Sequence, residues 1–241
     1  MKLIVAGSSS RGNGYILRGV SQTLLIEAGV NLNEIKELMG FDITSVVGCL
    51  VSHSHGDHFG KHRQYIEAGI DIFTGDQTIK SPHHRLHHVK DRQKFTIGEF
   101  TVLPLKVVHD VQTFAYLINH PESGDILFCT DTHYVPYKFN SLNNIMIEAN
   151  YSIEIANQAI ENGANKAVRD RVLNSHMEIS TLVEFLRQSD TGKLNNVVLL
   201  HLSSGNSDAR LFKNIIQEEL PGKQVWIADK GLNINLDKTP F

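Results

Sequence analysis

Three histidines and an aspartate fall within six positions, His53-Ser-His55-Gly-Asp57-His58, directly after the apolar run Val46–Val51. Neutral imidazole and ionised carboxylate are the side chains that hold hydrolytic zinc. In an extended segment His53 and His55, two apart, point the same way. Gly56 then lets the chain turn, which aims Asp57 and His58 at an adjacent position. The run therefore offers two half-sites within reach of each other, as a centre with two ions about 3.5–4 Å apart requires. The plainer reading is a histidine-rich surface turn, and the buried strand before it argues against that. Three later residues could complete the half-sites, each placed where an apolar stretch gives way to a polar loop. His109 follows Val107-Val108, Asp131 follows Ile126-Leu-Phe-Cys-Thr, and His201 follows Val197-Val-Leu-Leu. Any one alone would pass as an ordinary boundary residue, and it is the recurrence that marks them. Asp131 is the natural bridge, because each of its oxygens can bind one ion.

The elements that must position these residues are read from periodicity. Short strands are predicted at residues 2–6, 15–18 and 23–28, and a short helix opens at Asn31 with Ile35, Leu38 and Met39 on one face. Residues 46–51 form a continuous apolar run, as a central strand covered on both faces should, and residues 59–68 follow as a helix. Further strands are predicted at 71–74, 99–108, 113–118, 126–129, 144–148, 196–200, 225–228 and 232–236. Helices are predicted at 152–172, as one long element despite Gly163, at 178–188 and around 209–219. Residues 81–92 read as a surface loop near the mouth of the site. The strands form two groups joined to helices, with no linker, charge block or repeat between them. That pattern predicts an α/β chain with residues 1–241 as one domain, two packed sheets covered by helices.

The 241 residues are 41% hydrophobic and 20% charged with a formal net charge of -3, which excludes a disordered or fibrous chain. The same balance argues against binding nucleic acid by bulk positive charge. No apolar run approaches the roughly 20 residues of a membrane span, so no membrane contact is expected. The opening MKLIVAGSSSRG lacks the pattern of a signal peptide, so a cytoplasmic protein is expected. Cys49 and Cys129 sit in apolar runs and read as small buried hydrophobes. Nothing in the sequence sets an oligomeric state.

Taken in order, His53-x-His55-x-Asp57-His58, His109, Asp131 and His201 resemble the full ligand series of the metallo-β-lactamase superfamily, over nearly the whole chain. The resemblance implies a four-layer αββα sandwich with metals at one edge between the sheets. It implies that His53, His55 and His109 hold a first zinc, that Asp57, His58 and His201 hold a second, and that Asp131 bridges. Gly7-Ser-Ser-Ser-Arg-Gly-Asn13, His109-Asp-Val, Glu148-Ala-Asn150 and His201-Leu-Ser203 resemble motifs of a small bacterial, exonuclease-like branch. His176, in Asn174-Ser-His-Met, resembles a histidine that in this branch protonates the leaving oxygen without being a primary ligand. Its plain reading is a residue in the first turn of a helix, since Ser175 and Glu178 have capping-box spacing. Glu178 stands where the branch usually has serine, and Tyr151 where it usually has histidine. Neither cysteine lies where true β-lactamases add a ligand. The stretch from Asp131 to His201 has no room for the inserted domain of RNA 3′-end-processing nucleases, and no long basic arm like that of tRNA-maturing enzymes is present.

The expected activity is that of a metal-dependent hydrolase, a dinuclear-zinc phosphodiesterase or nuclease cutting DNA, RNA or another nucleotide phosphodiester through a metal-bridging hydroxide. Asp57 would orient that hydroxide and His176 would donate the proton to the leaving oxygen. Manganese, iron or cobalt could fill the same N/O ligands. The alternative is a thioester or lactone hydrolase, and a metal-binding protein without turnover is a third reading. Residues 8–14 read as a glycine-containing turn, with backbone amides in reach of a phosphate as the functional alternative. His83, His84, His87 and His88 read as solvated, since neither carboxylate nor cysteine accompanies them. With Lys80, Arg85, Lys90, Arg92 and Lys94 they form the chain's best basic patch for a polyanion. His62, His120 and His133 read as structural.

Overall fold

In a computed structural model, which describes residues 1–80 and 83–239, the apolar runs assemble into two seven-stranded sheets. The first contains, in spatial order, β1 (Lys2–Ser9), β2 (Gly12–Arg18), β3 (Thr23–Ile26), β4 (Val46–Val51), β5 (Ile72–Thr74) and β6 (Leu86–His88), with β14 (Asn233–Asn235) added beside β1. The second contains β7 (Phe95–Ile97), β8 (Phe100–Val107), β9 (Thr113–His120), β10 (Gly124–Cys129), β11 (Asn144–Glu148), β12 (Asn196–Leu200) and β13 (Gln224–Ile227), also in spatial order. The helices are α1 (Leu32–Leu38), α2 (Gly56–Phe59), α3 (His62–Glu67), α4 (Ile153–Glu161), α5 (Lys166–Ser175), α6 (Ile179–Gln188) and α7 (Ala209–Glu219).

Alternation along each strand supplies two cores at once. Leu3 and Val5 of β1 and Leu24 and Ile26 of β3 face the space between the sheets, where they meet Val198 and Leu200 of β12. Ile4 and Leu25 face outward, under Ile35 of α1 and Tyr65 and Ile66 of α3. On the other side Val197 and Leu199 pack against Leu182 and Phe185 of α6 and Phe212 and Ile216 of α7. The result is the four-layer αββα sandwich. Phe212 is fully buried, and truncating it to alanine should cost about 3–5 kcal/mol.

Pairing is parallel from β3 to β6 and from β10 to β13. Strands running the same way deliver their carboxyl ends to one edge, the side on which open α/β sheets bind ligands. Several features differ from the sequence reading, the turn read at 8–14 among them, since β1 runs to Ser9 and β2 starts at Gly12. The helix predicted at 152–172 is two helices, because Gly163 takes φ +91° after α4 and Asn165 then caps α5, accepting from the Ala167 N–H at 2.9 Å. The helix predicted at 59–68 is α3 alone, separated from α2 by Gly60 and Lys61. The stretch at 81–92 is not all loop, since Leu86–His88 pairs with β5 as a strand. Ser81 and Pro82 lie outside the described residues. The strand predicted at 99–108 is β8, preceded by the short β7 that the reading missed. Among the described residues no helix is long and apolar enough to cross a membrane.

Candidate metal centre

His53, His55, Asp57 and His58 follow β4, His109 follows β8, Asp131 follows β10 and His201 follows β12. Three of the strand ends turn through the left-handed region: φ is 65° at Glu27, 49° at Asp131 and 52° at His201. Such values in non-glycine residues cost of order 1–3 kcal/mol each and gather at functional sites. Polar contacts hold His201 in this state. Its N–H donates to Ser8 Oγ at 2.9 Å, and its carbonyl accepts from Asn150 Nδ2 at 2.7 Å. Gly29 lets the loop after β3 close on the histidine run, for a Cβ there would lie 1.7 Å from the Asp57 carbonyl oxygen.

The donor atoms form overlapping groups, each within 4.8 Å. One joins His53, His55, His109 and Asp131, and another joins Asp57, His58, Asp131 and His201. In the first, His53 Nε2 lies 3.1 Å from His55 Nδ1 and 3.6 Å from Asp131 Oδ2, and His109 Nε2 lies 3.8 Å from the same oxygen. In the second, His58 Nε2 is 3.2 Å from Asp131 Oδ2 and 3.3 Å from Asp57 Oδ2, and His201 Nε2 is 3.5 Å from Asp57 Oδ2. All seven residues singled out as ligands thus lie together, with Asp131 common to both groups.

A third group was not anticipated: Asp131, Glu148, His176 and His201. Glu148, fully buried at the end of β11, places Oε1 2.6 Å from His176 Nδ1 and 3.3 Å from His201 Nδ1. Its Oε2 accepts from the N–H groups of Thr132 and Met177 at 3.0 and 3.2 Å. A carboxylate only accepts, so it fixes the His176 tautomer with the proton on Nδ1 in the neutral ring. His176 is extended (φ -127°, ψ 165°) between α5 and α6, and the capping box of Ser175 and Glu178 does not form. Glu178 instead accepts from the Ile153 N–H at 3.3 Å. Tyr151 and Glu178, the two departures from the branch pattern, are bridged to each other through their backbones.

The electrostatics identify what this edge can hold. Burial pushes Asp131 toward its neutral form, but the facing His201 and His58 outweigh it and hold the carboxyl well below its usual range. Asp57 and Glu148 are likewise lowered against burial, Asp57 by hydrogen bonds from His201 and His58 and Glu148 by His176. Burial lowers His58 and His201, yet Asp131 overcomes it and raises both well above an ordinary histidine. His176 is raised in the same way by Glu148, again against burial. His53 and His109 are lowered, chiefly by burial. His109 Nδ1 donates to the Ser175 carbonyl at 2.7 Å, which leaves Nε2 as a bare lone pair; it is buried and makes no hydrogen bond among the described residues. The Asp110 carboxylate nevertheless stands 3.0 Å from it and 3.5 Å from His55 Nε2. A lone pair facing carboxylates needs a cation between them, and the imidazole and carboxylate donors fit divalent ions.

The sequence reading assigned no role to Glu27, Asn13, Asp110 or Glu148. Glu27 is fully buried, with Oε1 3.3 Å from His58 Nδ1. Asn13 is also fully buried, with Nδ2 3.0 Å from His58 Nε2 and 3.3 Å from Asp57 Oδ2. Both glutamates end otherwise apolar strands, the same sign that marked His109, Asp131 and His201. A cleft of about 850 Å³ opens beside His176 and His201, lined by residues 6–12 and 201–204 among others. None of residues 80 or 83–94 lines this cleft, and Arg85 pairs with Asp71 at 3.3 Å.

The sequence model of the metallo-beta-lactamase superfamily matches residues 10–139. Exodeoxyribonuclease YycJ of Bacillus anthracis is 23% identical over 243 residues, covering 93% of this chain and 91% of that protein. Exodeoxyribonuclease WalJ of Streptococcus pneumoniae is 23% identical over 230 residues, covering 86% of this chain and 83% of that protein. Among solved structures, the metallo-beta-lactamase fold protein YhfI from Bacillus subtilis superposes with a TM-score of 0.70 at 16% identity, covering 97% of this chain and 99% of that one.

Proposed function

Because the chain belongs to the metallo-beta-lactamase superfamily of metal-dependent hydrolases, we propose that it is a two-metal phosphodiesterase acting on nucleic acid or a nucleotide. The observation that carries this reading is His176. It lines the cleft, lies outside the two groups around His53 and His58, and is oriented by a buried carboxylate that leaves its Nε2 for a substrate. A thioester hydrolase has less need of such a group, whereas a phosphodiester with an alkoxide leaving group requires a proton. The two curated relatives are named exodeoxyribonucleases, which supports the substrate class.

In this reading His53, His55 and His109 would hold one ion and Asp57, His58 and His201 the other, with Asp131 available as a ligand to both. Ions held there would supply the positive charge that favours loss of a proton from water near neutral pH and offsets the charge of the phosphate. Asp57, kept ionised, accepts a hydrogen bond from the attacking water and orients it. His176, whose charged form Glu148 favours against burial, gives its Nε2 proton to the departing sugar oxygen, a role worth about 10²–10⁴-fold. Glu148 keeps the ring in place through Nδ1. Residues 1–241 form one catalytic domain working in the cytoplasm, with zinc as the first metal to test.

The test is turnover of bis(p-nitrophenyl) phosphate and of labelled oligonucleotides, abolished by chelation and restored by zinc or manganese. A metal-replete preparation that ignores every phosphodiester yet opens a thioester or lactone would overturn the proposal.

A further inference from the structure

The cleft beside His176 and His201 carries four cations in its lining, Arg11, Lys61, Arg171 and Lys230. Two are already committed. Lys230 forms an ion pair with Glu34, and Arg171 Nε lies 3.9 Å from Asp110. Arg11 and Lys61 are exposed and make no ion pair among the described residues. Their hydrogen bonds there run through the backbone: the Arg11 N–H donates to Ser9 Oγ at 3.3 Å, and the Lys61 N–H to the Ala28 carbonyl at 2.8 Å, with the Lys61 carbonyl accepting from the Gln64 N–H at 3.0 Å. Serines 9, 10, 203 and 204 add neutral donors to the same lining.

Arg11 is mounted on a rigid base. The strands β1 and β2 pair as far as Ser9 opposite Gly12, so Ser10 and Arg11 form a tight turn at the hairpin tip. One strand of the hairpin is tied to His201 through Ser8 Oγ, and the other to Asp57 and His58 through Asn13. Tyr15 joins the two ties, with its hydroxyl 2.8 Å from Ser8 Oγ and 3.3 Å from Asn13 Oδ1. An anion gripped at the tip is therefore held at a fixed place relative to both histidines. Serine and arginine side chains on a preset backbone are the groups that position phosphates and sugars without reading sequence. At about 850 Å³ the cleft lies in the size range of small-ligand pockets, room for a short stretch of one strand.

We infer that this cleft is the track of a single polynucleotide strand, with Arg11 and Lys61 holding a phosphate next to the one being cut. The inference rests on the phosphodiesterase reading for its chemistry. It moves the polyanion contact from the basic stretch at 80–94 to the hairpin tip.

Binding of fluorescein-labelled single-stranded 12-mers, one DNA and one RNA, to the chelated protein tests it by anisotropy without turnover. The double variant Arg11→Ala/Lys61→Ala should bind at least about 10-fold more weakly at 0.1 M salt. The slope of log affinity against log salt should become shallower by about 1.4, the share of two phosphate contacts on a single strand. Arg11→Lys/Lys61→Arg should restore that slope, which a folding defect would not predict. Arg85→Ala/Lys90→Ala should leave it unchanged. An unchanged slope in the first double variant, or an equal loss in the Arg85 and Lys90 pair, would overturn the track. Cleavage of the same 12-mers by the metal-loaded protein is scored separately. Binding through Arg11 and Lys61 with no cleavage rejects the phosphodiesterase reading alone, whereas cleavage with an unchanged slope rejects the track alone.

Discussion

Two segments of this chain are rich in histidine, and only one has the surroundings of a metal site. His53 and His58 are fully buried at the end of β4, and with His55 and Asp57 they meet Asp131, His109 and His201 arriving from other strand ends. His83, His84 and His88 are exposed. His83 and His84 stack on each other at 4.6 Å, and His87 stacks on Phe73 at 4.8 Å and pairs with Asp71 at 3.1 Å. Both segments adjoin a parallel strand, β4 in one case and the edge strand β6 in the other. What differs is the number of further strand ends that bring carboxylates to the same place. Among the described residues His87 pairs with one acid, Asp71, which Arg85 also contacts. Histidine density is therefore a poor guide, and convergence of buried acids on buried imidazoles is a good one.

The hardest blow to this contrast would come from Asp131. Its oxygens contact histidines of every group at the centre, so Asp131→Ala should reduce metal content from two ions per chain to below one and lower turnover by at least about 10³-fold. Metal content by mass spectrometry decides it, and two retained ions would mean that the convergence is not what binds metal. Next in size is His176→Ala. It should keep both ions and lower kcat by about 10²-fold for a nucleoside leaving group, but only a few-fold for p-nitrophenolate, which departs without a proton. Equal losses on both substrates would remove the proton-donor role.

A smaller effect is expected at Glu27, which touches no metal position and faces His58 Nδ1 from behind. Nδ1 makes no hydrogen bond among the described residues, so Glu27 acts on it through its charge at 3.3 Å; losing an outer partner of a ligating histidine costs about 10–100-fold in metal affinity. Glu27→Gln should therefore weaken the ion that His58 would hold by up to that factor, read by competition with a chromogenic chelator. No change would show that burial alone positions His58.

Glu27 also marks what could and could not be read before the fold was known. Val46–Val51, Asn144–Glu148, Asn196–Leu200 and Ala209–Glu219 are legible to the residue because both faces of those strands, or one stripe of that helix, are apolar. The ligand run is legible because three histidines and an aspartate within six positions have few other uses. Glu27, Glu148 and Asn13 act through contacts made across 25 to 53 positions of chain, so the strand-end position marks the two glutamates without saying what they touch. The break at Gly163 is hidden in the sequence because Ile153, Ala156, Ile160 and Ala164 keep near-helical apolar spacing across it, while Asn162 and Asn165 supply the stop and the new cap.

The smallest effect, and the sharpest separation of the two segments, belongs to His87. It is 43% exposed; its contacts are the ring of Phe73 and one oxygen of Asp71, which Arg85 also approaches. An exposed pair of this kind is worth about 0–1 kcal/mol, because water screens it and holding the side chains costs entropy. His87→Ala should therefore shift the denaturant midpoint only slightly, leaving metal content and turnover at wild-type values. Extending the change to His83, His84 and His88 should add little, since β6 pairs with β5 through its backbone and Leu86 supplies the apolar contact beneath it. Loss of an ion in the fourfold variant would place a further metal on the edge strand, and the distinction between a buried convergence and an exposed run would fail with it.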